Sequence, residues 1–231
     1  MPSTSSPSPM ADRPLWPAGP AAAMLRDAGS VAQALAWAAL VAVAVAGRLW
    51  QPEWNGTRLW NVTPLVAVAL AAGALFGNRL VAAAAPLVAL AISNLFEPSY
   101  RSLVVAGSVY AASAWPVLFG GVARRGGWLG VLGGAVASSL VFFVVTNFAH
   151  WAAMGDYPHD WSGLVECYRQ ALLFYRPPLA DVVWSLVFFA GIAAVTAAVS
   201  RFEAVLGTRP AAVRLGGSRF GANDPRRGRL D

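Results

Sequence analysis

The chain contains no lysine, a single cysteine (Cys167) and two histidines, and only 12% of its residues are charged. A soluble domain keeps roughly a quarter of its residues charged, about twice this share. One cysteine excludes an intramolecular disulfide and a cysteine-based zinc site, and leaves the redox compartment open. The basic residues are all Arg, 17 against 11 acidic ones, for a net charge of +6. No aromatic interleaving or nucleic-acid fold signature accompanies them, so nucleic acid is not an expected partner.

Long apolar runs are what the sequence does have. Hydrophobic residues make up 57% of the chain and the mean hydropathy is +0.54. The uncharged runs reach membrane-spanning length, about 17 to 25 residues, which is too long for barrel strands; in lipid they must be helices, because only a helix satisfies its own backbone there. They fall near 31–47, 62–77, 79–96, 101–119, 127–149 and 179–199. The expected fold is therefore an all-α polytopic membrane bundle of about six transmembrane helices in the lipid bilayer. Gly77-Asn78-Arg79, Glu97-Pro98, Gly120-Gly121 and Pro177-Pro178 punctuate the runs. Pro64 and Pro178 suit first helical turns, while Pro86 and Pro116 predict kinks. Ala44-Val45-Ala46 also fits a signal-peptide cleavage site, which would leave five helices.

Three segments are expected: a disordered Pro-rich arm over 1–29, a transmembrane domain over 30–200, and a disordered Arg-rich tail over 201–231. Twelve of the 17 Arg fall on one side of the alternating loops, including Arg79, Arg124, Arg125 and the tail. The positive-inside rule then places both termini in the cytoplasm of a cell inner (plasma) membrane protein. Each tail Arg that reaches anionic headgroups contributes about 1 kcal/mol.

With that orientation, the polar residues at helix ends gather on the outer side. Asn61 and Thr63 open the second run, Asn94 and Glu97 close the third, Arg101 opens the fourth, Thr146, Asn147 and His150 close the fifth, and Asp181 lies in the first turn of the sixth. Polar groups in lipid normally face a bundle interior or a wet cavity, so a polar pocket opening outward is expected. Two bland explanations compete with it: interhelical hydrogen bonding, and the macrodipole at helix ends, which favours Asp181 by about 0.3 to 1 kcal/mol. The same side carries Trp50, Trp54, Trp60, Tyr100, Trp151, Tyr157, Trp161, Tyr168 and Tyr175, most of which suit an interfacial aromatic belt.

Behind Asp160 as N-cap, Trp161, Leu164, Val165, Tyr168, Leu172 and Tyr175 repeat with helical period and predict an external amphipathic helix, either a lid on the pocket or an interfacial helix. His150, Asp156, His159, Asp160 and Glu166 match no compact metal-ligand spacing, and Ser138-Ser139 has no base at reachable depth. No catalytic residue, metal or cofactor is assigned. Gly126, Gly130 and Gly134 form a small-residue ladder, as do Ala34, Ala38, Ala42 and Ala46; each would let helices approach closely, within the bundle or against another subunit.

Asn61-Val62-Thr63-Pro64, Gly73-Ala74-Leu75-Phe76, Ile92-Ser93-Asn94-Leu95, the stretch from Phe142 to Trp151, Tyr157-Pro158, Gly163-Leu164 with Cys167-Tyr168, and Asp181 together resemble an uncharacterised bacterial inner-membrane family, catalogued only as a domain of unknown function. The likeness covers roughly 60–190. Asn94 stands where that family usually has Asp, and Leu173-Phe174 where it has Pro-Phe. The family in turn looks like the S components of energy-coupling factor transporters, six-helix proteins that capture vitamins or metal ions from outside. That resemblance implies a substrate-binding subunit for uptake of a small solute, with Asn61, Asn94, Arg101, Asn147, His150 and Asp181 as candidate pocket residues. It also implies a transporter coupling subunit docked on Ala34, Ala38 and Ala42, with an ATPase module beyond it. The alternatives are a non-transporting membrane scaffold or assembly protein and, third, a membrane-embedded enzyme.

Overall fold

The computed structural model describes residues 18–51, 53–58, 62–97, 100–173 and 177–207. In chain order the elements are α1 (Ala18–Asp27), α2 (Gly29–Leu49), a hairpin of β1 (Glu53–Trp54) and β2 (Thr57–Arg58), α3 (Leu65–Leu75), α4 (Arg79–Ser93), α5 (Leu103–Ala114), a 3-10 segment (Trp115–Phe119), α6 (Gly120–Arg125), α7 (Gly127–Ala153), α8 (Trp161–Leu173) and α9 (Pro177–Gly207). Two compact units divide the chain, Met1–Ala197 and Ala198–Asp231. In the second, the described residues 198–207 are helical.

Among the described residues the only strands form that hairpin, which pairs Glu53 with Arg58 and Trp54 with Thr57. Its turn is Asn55-Gly56, both with positive φ, the pairing a two-residue hairpin turn requires. Among the described residues four segments are long and apolar enough to cross a membrane: Gly29–Leu49, Leu103–Arg125, Gly127–Ala153 and Leu179–Phe202. The second and third expected spans form shorter apolar helices, α3 with 11 residues and α4 with 15. At 1.5 Å per residue α3 rises only about 16 Å, half the hydrocarbon thickness.

Burial makes α3 the axis of the molecule. Nine of its residues are buried and it is apolar on every side. Leu65, Val68, Ala69 and Ala72 join a cluster with Val41 and Ala44 of α2 and Ala82, Ala85, Ala89 and Leu90 of α4. Val66, Leu70, Ala71 and Ala74 join another with Ala18 of α1, Ala123 of α6, Val131 and Ala135 of α7, and Phe189 of α9. Alanine makes up much of the inside, and many large apolar side chains face out: Leu103, Leu129 and Leu179 are 92%, 81% and 73% exposed. That inversion of the soluble pattern suits lipid, where helices associate by close packing of small residues.

Several sequence expectations change here. The arm expected over 1–29 is helical from Ala18 to Asp27, with Ala18 and Ala22 buried; Ala-rich sequence has high helix propensity, and Pro20 sits in the first turn, where it costs no hydrogen bond. Gly120-Gly121 does not end a span. Pro116 tightens the chain into the 3-10 segment, and helix resumes through Arg125. A Cβ on Gly73 would overlap the Val117 backbone and one on Gly120 would overlap Gly73, so these glycines serve close approach of α3 to the 3-10 segment and α6. The true break is Gly127, at φ +61°. Pro86, the site of an expected kink, lies inside α4. α9 continues to Gly207, past the bound of 200 expected for the transmembrane domain; residues 208–231, where most of the expected tail falls, lie outside the described residues.

Side chains cap the helices where the sequence supplies them. Asn78 Oδ1 accepts from the Leu80 and Val81 amides at 2.8 and 3.4 Å, and Ser102 Oγ from Val104 at 3.2 Å. Asp160 Oδ1 accepts from the Gly163 amide at 2.8 Å and the Ser162 hydroxyl at 2.7 Å. Those bonds hold its carboxyl below the ordinary value, as an N-cap requires.

Candidate functional site

The alternating direction of the helices brings the C-terminal ends of α2, α4 and α7 together with the N-terminal ends of α3, α5 and α9, and there a cavity of about 400 Å³ opens. Arg48, Gln51, Thr63, Asn94, Glu97, Tyr100, Asn147, His150 and Asp181 are among its lining. It lies where α3 begins, beside helices of 21 and 27 residues, so the turns that α3 lacks leave room for it. Phe142, Thr146, Asn147 and His150 follow one another down one face of α7, and Val105, Val109 and Ser113 down one face of α5. The cavity therefore reaches about two turns into the bundle.

Arg48 organises one wall. In the last turn of α2, its Nε donates to Ser93 Oγ at 2.7 Å and its Nη2 to Asn94 Oδ1 at 3.1 Å, both at the end of α4. A cation is favoured there because two helices present their carbonyl ends. Asn94 Nδ2 passes the network on to the Tyr110 hydroxyl at 3.2 Å. Gly47 lacks the Cβ that would strike the Pro64 ring, so α2 and the start of α3 approach closely beside Arg48.

Asp181 forms the deep wall. It is 5% exposed and accepts a hydrogen bond from Ser139 Oγ in the middle of α7. Because α9 starts at Pro177, its first turn holds no acidic residue, and Asp181 lies one turn further in than the sequence suggests. The macrodipole effect fades beyond the first turn, so it does not account for this carboxylate.

The other candidates divide. Asn147 lines the cavity while its Nδ2 donates to Phe143 O at 2.8 Å. His150 lines it with Nε2 3.1 Å from Asp156 Oδ2. Arg101 does not line the cavity; it is exposed, 4.0 Å from that same Asp156 oxygen, on the rim loops. Asn61 lies outside the described residues. Ala34, Ala38 and Ala42 form an exposed stripe on α2, away from the cavity. The glycine ladder is internal: Gly126 and Gly130 abut the Val122 backbone, and Gly134 abuts Leu70 and Phe119. Sequence reasoning missed Arg48, Gln51 and Ser113 as pocket residues, and counted Tyr100 only with the aromatic belt. An Arg closing an otherwise uncharged Ala-Val run was the available signal for Arg48.

α8, expected either to lid the pocket or to lie at the interface, contributes none of its described residues to the cavity lining. It is clasped to α7. Trp151 Nε1 donates to Pro158 O at 2.9 Å, Gly163 sits against Pro158 where a Cβ would clash, Cys167 Sγ is 3.6 Å from Asn147 O, and the Tyr168 hydroxyl donates to Val144 O at 2.7 Å. Burial pushes the Cys167 thiol up, away from nucleophilic use. Glu166 is held down to about 2 by hydrogen bonds from Arg169 and Gln170. His159 packs edge-on to Trp151, and among the described residues no three His, Cys, Asp or Glu come together to hold a metal.

A helical bundle with large apolar side chains outside and a polar cavity at its end is a membrane protein. The chain belongs to the family of unknown function DUF6580, whose model matches residues 30–205, in keeping with the uncharacterised family that the sequence resembles. Neither the curated proteins nor the solved structures include a match to it.

Proposed function

We propose that this protein captures a small polar solute in the end cavity and supports its uptake, in the manner of an S component. One observation carries the reading: Arg48, Asn94, Asn147, His150 and Asp181, from four different helices, line a single cavity of about 400 Å³ in an otherwise apolar bundle. That volume falls within the roughly 300 to 1,000 Å³ of small-molecule sites. The Arg distribution supports cytoplasmic termini in the inner membrane and hence a cavity facing outward, with α3 and α4 completing six crossings as short helices. The exposed Ala34, Ala38 and Ala42 stripe would then be the face for a coupling subunit and its ATPase module.

Native mass spectrometry of the protein released from lipid nanodiscs tests the capture step. Wild type should carry a retained small molecule that is absent from Asn147→Ala and Asp181→Asn, both still folded; wild type emerging bare from cell membranes and extracts alike would remove the reading. A scaffold role is the second reading, because Arg48, Asn94, Tyr110, Ser139 and Asp181 also bond helix to helix. It predicts that the same substitutions unfold the bundle and leave no binding defect to measure.

A further inference from the structure

Arg48 and Asp181 are two ionisable side chains on the cavity wall. Among the described residues, the bonds of Arg48 go to the neutral Ser93 and Asn94, and the one bond to Asp181 comes from the neutral Ser139. Neither takes part in an ion pair there. A carboxylate 5% exposed, with one hydroxyl as partner, is costly unless something brings it positive charge. Further unmet polar atoms line the same cavity: Ser113 Oγ, on a residue 2% exposed, and Gln51 Oε1 are both buried without a hydrogen-bond partner. The start of α3 adds a positive end, since Pro64 provides no side-chain cap and Leu65 and Val66, whose amides have no carbonyl within the helix, line the cavity near Arg48.

We infer that the solute is a small zwitterion, its carboxylate held by Arg48 and the start of α3 and its protonated amine held by Asp181, with Ser113 Oγ as a further acceptor. The inference rests on the capture reading above and deepens it. One molecule of this class supplies both missing counter-ions at once, which neither a simple amine, a simple acid nor a neutral solute does.

Affinity measured in nanodiscs tests this with the series of linear amino acids from glycine to 6-aminohexanoate, set against alkylamines and alkylcarboxylates of equal length and neutral amides. Wild type should bind at least one amino acid of the series about tenfold or more tightly than its matched amine and its matched acid. Arg48→Gln should lose that preference over the amine, and Asp181→Asn the preference over the acid. The comparison on wild type alone decides the matter if either variant fails to fold. A wild type that binds neutral amides best, or an amine as tightly as its amino acid, overturns the zwitterion and leaves solute capture standing. Failure of every probe, together with bare protein in native mass spectrometry, removes both.

Discussion

Arg48 closes a helix whose preceding residues, from Gly29 onward, carry no charge, and its guanidinium ties that end to Ser93 and Asn94. Removing it leaves a buried hydroxyl and an amide oxygen without their donors. Arg48→Gln should therefore lower stability by about 1 to 3 kcal/mol, and Tyr110→Phe, which leaves Asn94 Nδ2 without its acceptor, by about 0.5 to 1.5 kcal/mol. Unfolding by SDS in mixed micelles checks both. At this scale the sequence was informative where polarity broke an apolar run: Asn94, Asn147, His150 and Asp181 stand out for that reason and line the cavity together. Arg48, Gln51 and Tyr100 were hidden because an Arg, a Gln or a Tyr at a helix end has an ordinary interfacial explanation. Arg101, equally polar, belongs to the rim because its neighbours place it on a loop with Asp156.

The packing of elements depends on small residues whose importance a single sequence conceals in so Ala-rich a chain. Gly73→Ala adds a methyl that the Val117 backbone blocks, and should cost about 1 to 3 kcal/mol. Gly133→Ala, on the same bundle but with open space around it, should be neutral or slightly stabilising, since alanine favours helix over glycine by about 1 kcal/mol. Thermal unfolding of the pair distinguishes a packing contact from helix propensity. For α8, Glu166 is held down to about 2 from the ordinary 4.5, so the stability its pairing contributes is present above pH 4.5 and is lost as pH falls through about 2. A carbon-13 NMR titration of the Glu166 carboxyl should show that midpoint. The helical period and Asp160 cap made α8 legible in the sequence, but its partner was not: Trp151, Pro158, Gly163 and Tyr168 lock it to α7, a tertiary fact that periodicity does not contain. The Asn55-Gly56 hairpin, by contrast, was readable from its turn chemistry and passed over beside the long apolar runs.

At the scale of the whole molecule, an inert half and a polar half follow from helices of unequal length. α3, short and buried, fills one end of the bundle, and the cavity occupies the end where it has not yet begun. Composition and run length gave the membrane class directly, whereas which helices cross fully depends on where Pro64 and Gly77-Asn78 bound α3. Capture from outside requires this cavity to be wet and to face the outside. In a Cys167→Ala background, Val109→Cys places one thiol on the cavity wall. A membrane-impermeant maleimide applied to intact cells should label it from outside, and labelling should be slow in inverted vesicles. Labelling from the cytoplasmic face alone, or from neither face in folded protein, would mean that the cavity does not open to the outside.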